Sequence, residues 1–326
     1  MTNMKELDKI ALTTHIAVKP YLKEAINTHV PSSIKKMLGD CLNLKKLYDR
    51  ALFVRLGCEA ACGNWRDILC AMSAAELMDL SVIVIDDILD GTPRRQGKPT
   101  IHIKYGIKNA LIMAGILKSI STEHLIGLEK CIEVNRLNIS IKLLEESHRN
   151  IYIGQYLDIL YENFAFDKIK ENMYLEMIKY TTGSQISSCL KIGGLLGGGK
   201  KDEIKSLGEY GMNVGIIYQM RDDLVDYDDN ESEIGKVPFM DLIKRKKRWP
   251  ILFAYEKNRK KVDKLLKSRP VNKMLIKSSI IDPDIIDRAK RIMNSYGYEA
   301  QNKIKNIRNK RTKKVLEQII SHGIDI

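Results

Sequence analysis

The chain has 326 residues, enough to bury a large core in one domain or in two. Its net charge of +13 is compatible with nucleic acid, an anionic membrane surface or a polyanionic ligand. Much of the excess Lys and Arg lies in residues 257–314, in amphipathic sequence whose only aromatic residues are Tyr296 and Tyr298, so we interpret it as a solvated helical face and expect no nucleic-acid partner.

The apolar runs are short compared with the ~20 residues of a membrane-spanning helix, and residues 1–21 mix charged with apolar side chains. We therefore predict neither a membrane span nor a signal peptide. The 6 cysteines show no CxxC spacing, which indicates reduced thiols rather than a zinc site. Both observations favour a cytoplasmic protein.

Helical patterns dominate the chain, and no Pro interrupts the sequence between Pro99 and Pro238. Gly, Pro and polar clusters mark loops at residues 91–99, 197–201 and 228–238. No segment shows the period-2 alternation of a strand with hairpin-type turn residues. The sequence therefore predicts an all-α protein of about ten or more helices.

The first informative helix carries an apolar stripe that ends in carboxylates. Ala75, Met78 and Val82 recur at helical spacing, and the same face continues into Asp86 and Asp90. A helix with this stripe packs its upper part in the core. Its last turn presents acidic groups where the apolar surface ends.

A second helix repeats this arrangement later in the chain. Its stripe consists of Ile204, Leu207, Tyr210, Gly211, Val214, Ile217 and Tyr218, and it runs on into Asp222. Six carboxylates thus form two clusters, Asp86, Asp87 and Asp90 in the first and Asp222, Asp223 and Asp226 in the second. Unpaired carboxylates beside apolar sequence are costly, and hard divalent cations remove that cost. Mg²⁺ combines a few carboxylates with phosphate oxygens, so two facing clusters fit the binding of a diphosphate.

Both clusters and several further segments resemble the trans-isoprenyl diphosphate synthase, or polyprenyl synthetase, family. The matching segments occur in the family's order over roughly residues 45–255 and comprise Gly97–His102, Gly154-Gln155 with Asp158, Tyr218-Gln219, and Asp241 to Pro250. The resemblance implies the isoprenoid synthase fold, a single large helical bundle around a central cavity. We expect one domain over residues 1–326, with residues 256–326 as its basic C-terminal helical part.

The resemblance also implies an activity, in which Mg²⁺ ions hold an allylic prenyl diphosphate and its C–O bond is cleaved to a carbocation. A second substrate, isopentenyl diphosphate, then attacks this cation to give a product of 20 or more carbons. All six aspartates are expected to be catalytic, with Asp86, Asp90 and Asp222 as metal ligands and three ions when substrate is bound. The family also implies a homodimer.

The residues that the resemblance implies for substrate binding are mostly cations and amides. They are Arg50, Arg94, Arg95, Gln155, Lys179, Thr182, Gln219, Lys236 and Lys246. The helix face that precedes Asp86 is expected to limit the length of the prenyl chain. Its predicted wall is formed by Ala75, Met78, Ser81 and Val82, and small Ser81 and Val82 indicate a long product.

Three positions depart from the family at the contacts for isopentenyl diphosphate. Leu47 stands where the family has Lys, Asp79 where it has His or Gln, and Gln96 where it has a second Arg. An acidic Asp79 is expected to repel an anion, unless Lys45 or Lys46 compensates. The sequence thus leaves two alternatives to elongation: an enzyme of the same fold with no acceptor, such as a terpene cyclase, or with a non-isopentenyl acceptor, and a regulatory partner subunit of an active synthase.

Overall fold

Helices account for nearly all of the chain that the computed structural model describes, namely residues 6–227, 239–267 and 273–325. The first half contains α1 Glu6–His29, α2 Ser32–Cys41, α3 Asp49–Ala60, α4 Leu69–Leu89, α5 Ile101–Tyr105, α6 Ile107–Ile126 and α7 Val134–Glu162. The second half contains α8 Glu171–Ile178, α9 Ser184–Leu196, α10 Lys201–Val225, α11 Met240–Ile243, α12 Trp249–Lys257, α13 Arg259–Lys267, α14 Lys273–Ser279, α15 Pro283–Lys303 and α16 Lys310–Ile324. The predicted all-α class is confirmed.

Short irregular elements connect some of these helices. Trp65–Ile68 and Phe166–Lys168 are 3-10 turns, and Lys179–Gly183 is a π-helical segment between α8 and α9. Strands β1 Arg94–Arg95 and β2 Lys98–Pro99 pair antiparallel. Within the described ranges they form the only sheet.

The helix with the first aspartate cluster, α4, lies in the core. Its side chains from Ala71 to Val82 are buried, and it packs against α6 and α3. Residues Trp65–Leu89 are long and apolar enough to cross a membrane by length and composition, and 78% of their most apolar window is buried. Such burial is what the core helix of a helical bundle requires, since apolar side chains on all faces need packing partners.

Close backbone packing brings α3 against α9. A Cβ atom at Gly193 would lie 1.9 Å from the carbonyl oxygen of Val54, so only glycine fits at this contact. The contact places the first turn of α3, which carries Asp49 and Arg50, beside Gln185 at the start of α9.

The second aspartate cluster ends α10, which packs against α9, α15 and α16. Buried residues of α10 from Leu207 to Val214 belong to a core shared with α3, α4 and α9, and those from Ile216 to Met220 to a second core around Trp249 and Tyr174. The C-terminal helices therefore cover the outer side of the helix that carries the second cluster.

Candidate active site

The first aspartate cluster lies at the C-terminal end of α4. Asp86 and Asp90 are partly exposed, with 43% and 23% of their side chains accessible, whereas Asp87 is buried. Asp87 accepts hydrogen bonds from Arg95 Nη2 at 2.8 Å and from Arg95 Nε at 3.1 Å. The middle aspartate thus fixes the arginine of β1, and the two outer aspartates face the solvent side.

The second cluster follows the same plan at the C-terminal end of α10. Asp222 is exposed and Asp223 is buried. Asp223 accepts hydrogen bonds from Tyr174 Oη at 2.7 Å and from Gln219 Nε2 at 2.8 Å. Burial raises the pKa of Asp223 to about 7, although the nearby Arg248 guanidinium acts in the opposite direction.

Both clusters line one cavity, which has an empty volume of about 960 Å³ including its open mouth. Asp86, Asp90, Asp222 and Asp223 all contribute to its lining. Arg95 lies between the clusters: burial opposes its charge, but Asp87, Asp86 and Asp222 together raise its pKa above the ordinary value. The negative ends of two helix dipoles meet here with several carboxylates, an arrangement that attracts cations.

A second set of cations comes from the segment before α12. Lys246 is buried, and its Nζ lies 2.6 Å from Asp90 Oδ1 and 3.1 Å from Asp158 Oδ2. Arg248 binds the same Asp158 through two hydrogen bonds of 2.9 Å, and its Nε lies 3.8 Å from Asp223 Oδ1. Lys246 and Arg248 thus connect both aspartate clusters through Asp158 of α7. We call this part of the cavity the aspartate end.

Amide and hydroxyl groups complete the aspartate end. Thr182 Oγ1 donates to Gln219 Oε1 at 2.5 Å, which orients the Gln219 amide toward Asp223. Gln155 Nε2 lies 3.5 Å from Asp86 Oδ1. A Cβ atom at Gly154 would lie 2.4 Å from Thr181 Cγ2, so glycine before Gln155 lets α7 approach the π-helical segment. Such π-helical insertions are frequent at functional sites.

The opposite part of the cavity contains a buried group of ion pairs. Lys45 Nζ lies 2.8 Å from Glu76 Oε2 and 2.7 Å from Asp79 Oδ2, and it also pairs with Asp49. Arg50 Nη1 lies 2.5 Å from Asp49 Oδ2, and Arg50 Nε lies 3.3 Å from Asp79 Oδ1. We call these five residues the ion-pair end. Of them, Arg50 and Asp79 line the cavity.

The comparisons with known proteins agree with this geometry. A family model described as "Polyprenyl synthetase" matches residues 35–282. The chain belongs to the polyprenyl synthetase family. The resemblance read from the sequence is thereby confirmed.

Two curated relatives are geranylgeranyl diphosphate synthases. That of Methanosarcina mazei is 35% identical over 202 residues, which is 62% of this chain and 61% of the relative's length. That of Saccharolobus solfataricus is 28% identical over 268 residues, 78% of each chain. The polyprenyl synthase of Caulobacter crescentus, solved with calcium and isoprenyl diphosphate, is 18% identical and covers 98% of this chain and 97% of its own, with a TM-score of 0.86. This last likeness supports the isoprenoid synthase fold.

In this polyprenyl synthetase the structure brings together most of the predicted site residues. The six aspartates, Arg95, Gln155, Thr182, Gln219 and Lys246 occur around the aspartate end, and Arg50 at the ion-pair end. The roles of the aspartates differ, however. Asp87 and Asp223 are buried and bound by protein donors, and Asp226 Oδ2 accepts the backbone N–H of Asp241 at 3.0 Å.

Two predicted substrate-binding residues lie elsewhere. Arg94 of β1 and Lys179 of the π-helical segment are exposed, and neither contributes to the cavity lining formed by the described residues. The antiparallel pairing of β1 turns Arg94 and Arg95 to opposite faces, so only one of them reaches the aspartates. Lys236 lies outside the described residues.

The predicted chain-length wall is only partly present in the cavity. Val82 lines the cavity, together with Ile83, whereas Ala75, Met78 and Ser81 are buried and do not contribute to its described lining. The reason is that α4 is covered on nearly all faces, so helical spacing alone did not distinguish a cavity wall from the core.

Three important residues escaped the sequence prediction. Arg248 pairs with Asp158, Asp223 and Asp241 at the aspartate end. The sequence analysis did not select it, although the resemblance included its segment, Asp241 to Pro250. Glu76 and Asp49 pair with Lys45, which the sequence had suggested only as a compensating cation. Asp79, which the sequence predicts to repel an anion, accepts a hydrogen bond from Gln185 Nε2 at 2.7 Å beside its ion pairs with Lys45 and Arg50.

Proposed function

We propose that this chain is a Mg²⁺-dependent trans-prenyltransferase, which ionises an allylic prenyl diphosphate and condenses it with isopentenyl diphosphate to a product of 20 or more carbons. One observation carries the proposal: the outer aspartates Asp86, Asp90 and Asp222 line a single cavity while the middle aspartates Asp87 and Asp223 are held by protein donors. The two curated relatives, both geranylgeranyl diphosphate synthases, support the same activity.

The donor set fits Mg²⁺. Asp86, Asp90 and Asp222 offer carboxylate oxygens at the negative ends of α4 and α10, and this cation prefers oxygen ligands completed by water and phosphate. When bound, about three such ions would neutralise the diphosphate and make it a better leaving group. The likeness to a structure that contains calcium and isoprenyl diphosphate supports this assignment.

The chain's own residues act on the rest of the reaction. Arg95 and Lys246 add positive charge beside the leaving diphosphate, where charge develops as the allylic C–O bond breaks and its electron pair moves to oxygen. The double bond of isopentenyl diphosphate then forms the new C–C bond, and a proton leaves the adduct. Val82, Ile83, Ile151 and Met177 provide an apolar wall that keeps water from the carbocation.

One observation favours the alternative of a non-isopentenyl acceptor. Both cations of the ion-pair end, Lys45 and Arg50, already pair with carboxylates of the chain. An acceptor with a diphosphate must compete with these carboxylates, whereas an uncharged acceptor, or intramolecular cyclisation, avoids this competition.

We also propose a homodimer, because α6 and α7 expose apolar side chains on adjacent surfaces. These side chains are Ile107, Leu111 and Ile112 of α6 and Tyr152, Ile153 and Tyr156 of α7. Exposed apolar side chains on two neighbouring helices are typical of an interface, and a second copy of the chain would present the same surface in a two-fold contact. Light scattering of the purified protein at several concentrations tests this, and a monomer throughout would contradict it.

The activity is tested by incubating the protein with Mg²⁺ and allylic diphosphates of 5, 10 and 15 carbons, with and without isopentenyl diphosphate. We expect extension products of 20 or more carbons that require both Mg²⁺ and isopentenyl diphosphate. Hydrocarbons or alcohols formed equally well without isopentenyl diphosphate would instead support cyclisation. No turnover of any allylic diphosphate would contradict both.

A further inference from the structure

The ion-pair end contains two cations in a position that adjoins the cavity. Lys45 and Arg50 lie beside Asp79, which precedes Asp86 by two helical turns and therefore lies about 10 Å from it along α4. The spacing between the ion-pair end and the aspartate end is therefore similar to the length of a short prenyl chain. Arg50 lines the cavity directly.

Two of the three carboxylates at the ion-pair end are built into the core. Glu76 is fully buried and accepts the backbone N–H of Ala51 at 2.8 Å as well as Lys45 Nζ at 2.8 Å. Asp79 is 5% exposed and accepts from Lys45 and Gln185. These carboxylates are held by several donors each, so an entering ligand cannot displace them without breaking the core.

Asp49 differs from the other two in its surroundings. It is the first residue of α3, 46% of its side chain is exposed, and its ion-pair partners are Lys45 and Arg50. Arg50 Nε is buried and makes no hydrogen bond with the described part of the chain. The carboxylate of Asp49 therefore bridges the two cations, with its Oδ1 buried while the side chain as a whole is partly exposed, and Arg50 Nε lies 3.3 Å from Asp79 Oδ1.

We propose that Asp49 is a specificity-determining residue: its carboxylate occupies the position that the diphosphate of the acceptor takes, and it must move away before isopentenyl diphosphate is bound. The inference rests on the proposed function and adds to it an internal competitor for the second substrate. An oxygen of a diphosphate makes the same contacts with Lys45 and Arg50 as a carboxylate oxygen does.

Charge supports this assignment. With Asp49 ionised, two cations face three carboxylates, so the group has no net positive charge that would attract an anion. Without the Asp49 charge, two cations face two carboxylates. Burial also raises the pKa of Glu76 to about 7, so its negative charge is partly lost near neutral pH. Removing one negative charge thus weakens the repulsion between this group and an anion and frees the contacts that Lys45 and Arg50 make with Asp49.

The test compares wild type with Asp49→Asn, which keeps the shape of the side chain and removes its charge. Asp202→Asn is the matched control, because Asp202 is an exposed carboxylate in the first turn of α10. Binding of isopentenyl diphosphate and of inorganic pyrophosphate is measured by calorimetry in EDTA. Without divalent cations the aspartate end repels diphosphates, so the binding reports on the ion-pair end.

We expect Asp49→Asn to bind isopentenyl diphosphate about tenfold more tightly than wild type and Asp202→Asn. In the Mg²⁺-dependent assay the KM for isopentenyl diphosphate should fall by a similar factor while the KM for the allylic diphosphate stays the same. A general structural effect would change both constants. If Asp49→Asn unfolds, Asp49→Ser serves in its place, because serine is also polar and uncharged and is smaller than asparagine.

Two outcomes separate this inference from the proposed function. Unchanged binding and an unchanged KM in an enzyme that extends prenyl chains would overturn the role of Asp49 and leave the function intact. Tighter binding by Asp49→Asn in a protein that extends no prenyl chain would support the role of Asp49 and overturn the function. A gain for pyrophosphate alone would overturn the assignment to the acceptor.

Discussion

At the aspartate end of the cavity, Asp86 and Asp222 remain at least partly accessible, whereas their neighbours Asp87 and Asp223 are buried and accept hydrogen bonds from protein donors. At the ion-pair end, Lys45 and Arg50 are paired with carboxylates of the chain itself. Both ends contain clustered charges of both signs. The two ends differ in exposure: 43% of the Asp86 side chain is accessible, whereas Lys45 and Glu76 are largely or fully buried, so the aspartate end presents its charges to a ligand more openly.

Replacing an outer aspartate should disable the metal site at the aspartate end. Asp86→Ala or Asp222→Ala should lower kcat by about 1000-fold, equivalent to about 4 kcal/mol of transition-state stabilisation, because a metal ligand is lost. Stability should change little, since Asp86 is partly exposed and Asp222 is exposed, and both lie near helix ends. Steady-state kinetics and thermal unfolding check both statements. Full activity of either variant at saturating Mg²⁺ would contradict the metal site.

A second change tests how the two clusters are joined. Arg248→Met should lower the free energy of unfolding by about 2 kcal/mol, because the half-buried Asp158 loses two charge-assisted hydrogen bonds and, among the described residues, keeps only Lys246 as an ion-pair partner. Arg311→Met is the control, since the Arg311 ion pair with Glu6 lies at the surface and should contribute less than about 1 kcal/mol. Urea unfolding measures both free energies. Equal losses for the two variants would show that Arg248 stabilises the fold no more than the surface residue Arg311 does.

The raised pKa of Glu76 at the ion-pair end predicts that the stability of the protein depends on pH. The folded chain raises the pKa of Glu76 from 4.5 to about 7, so it binds this proton more tightly than the unfolded chain. The resulting stabilisation is complete below pH 4.5 and is lost as the pH rises through about 7. Asp223, also near 7, acts in the same direction.

Glu76→Gln should therefore reduce the loss of stability between pH 5 and pH 8 by roughly 2 kcal/mol, because glutamine does not titrate. Urea unfolding of both proteins at several pH values measures the difference. An identical pH slope for wild type and variant would indicate that Glu76 is ionised over the whole range.

A larger side chain in the apolar wall between the two ends should change the product more than the rate. Val82→Phe should shorten the product while changing kcat only about two- to fivefold, because the larger ring fills the cavity without touching the aspartates. Val134→Phe, at an exposed position, should leave the product length unchanged. Chromatography of the reaction products decides, and the same length distribution in all three proteins would exclude Val82 from the wall.

The sequence itself determined the all-α fold, the two aspartate clusters and their position at helix ends. These features are local: side chains three or four residues apart share a helix face, so Asp86 and Asp90 can be placed together from their spacing alone. The order of the family segments then made Arg95, Gln155 and Gln219 recognisable. The structure brings all three to the same cavity.

Only the tertiary structure decided which charges are already satisfied. Lys45 meets Glu76 across 31 residues of sequence, and Gln185 meets Asp79 across 106. Such pairs depend on how α3, α4 and α9 pack, which no helical period encodes. The same reason explains why Arg94 and Lys179 proved exposed and why Arg248 was missed. The role of a charged side chain cannot be assigned from its position in the sequence alone, because its burial and its neighbours in space determine whether it binds a ligand or another side chain.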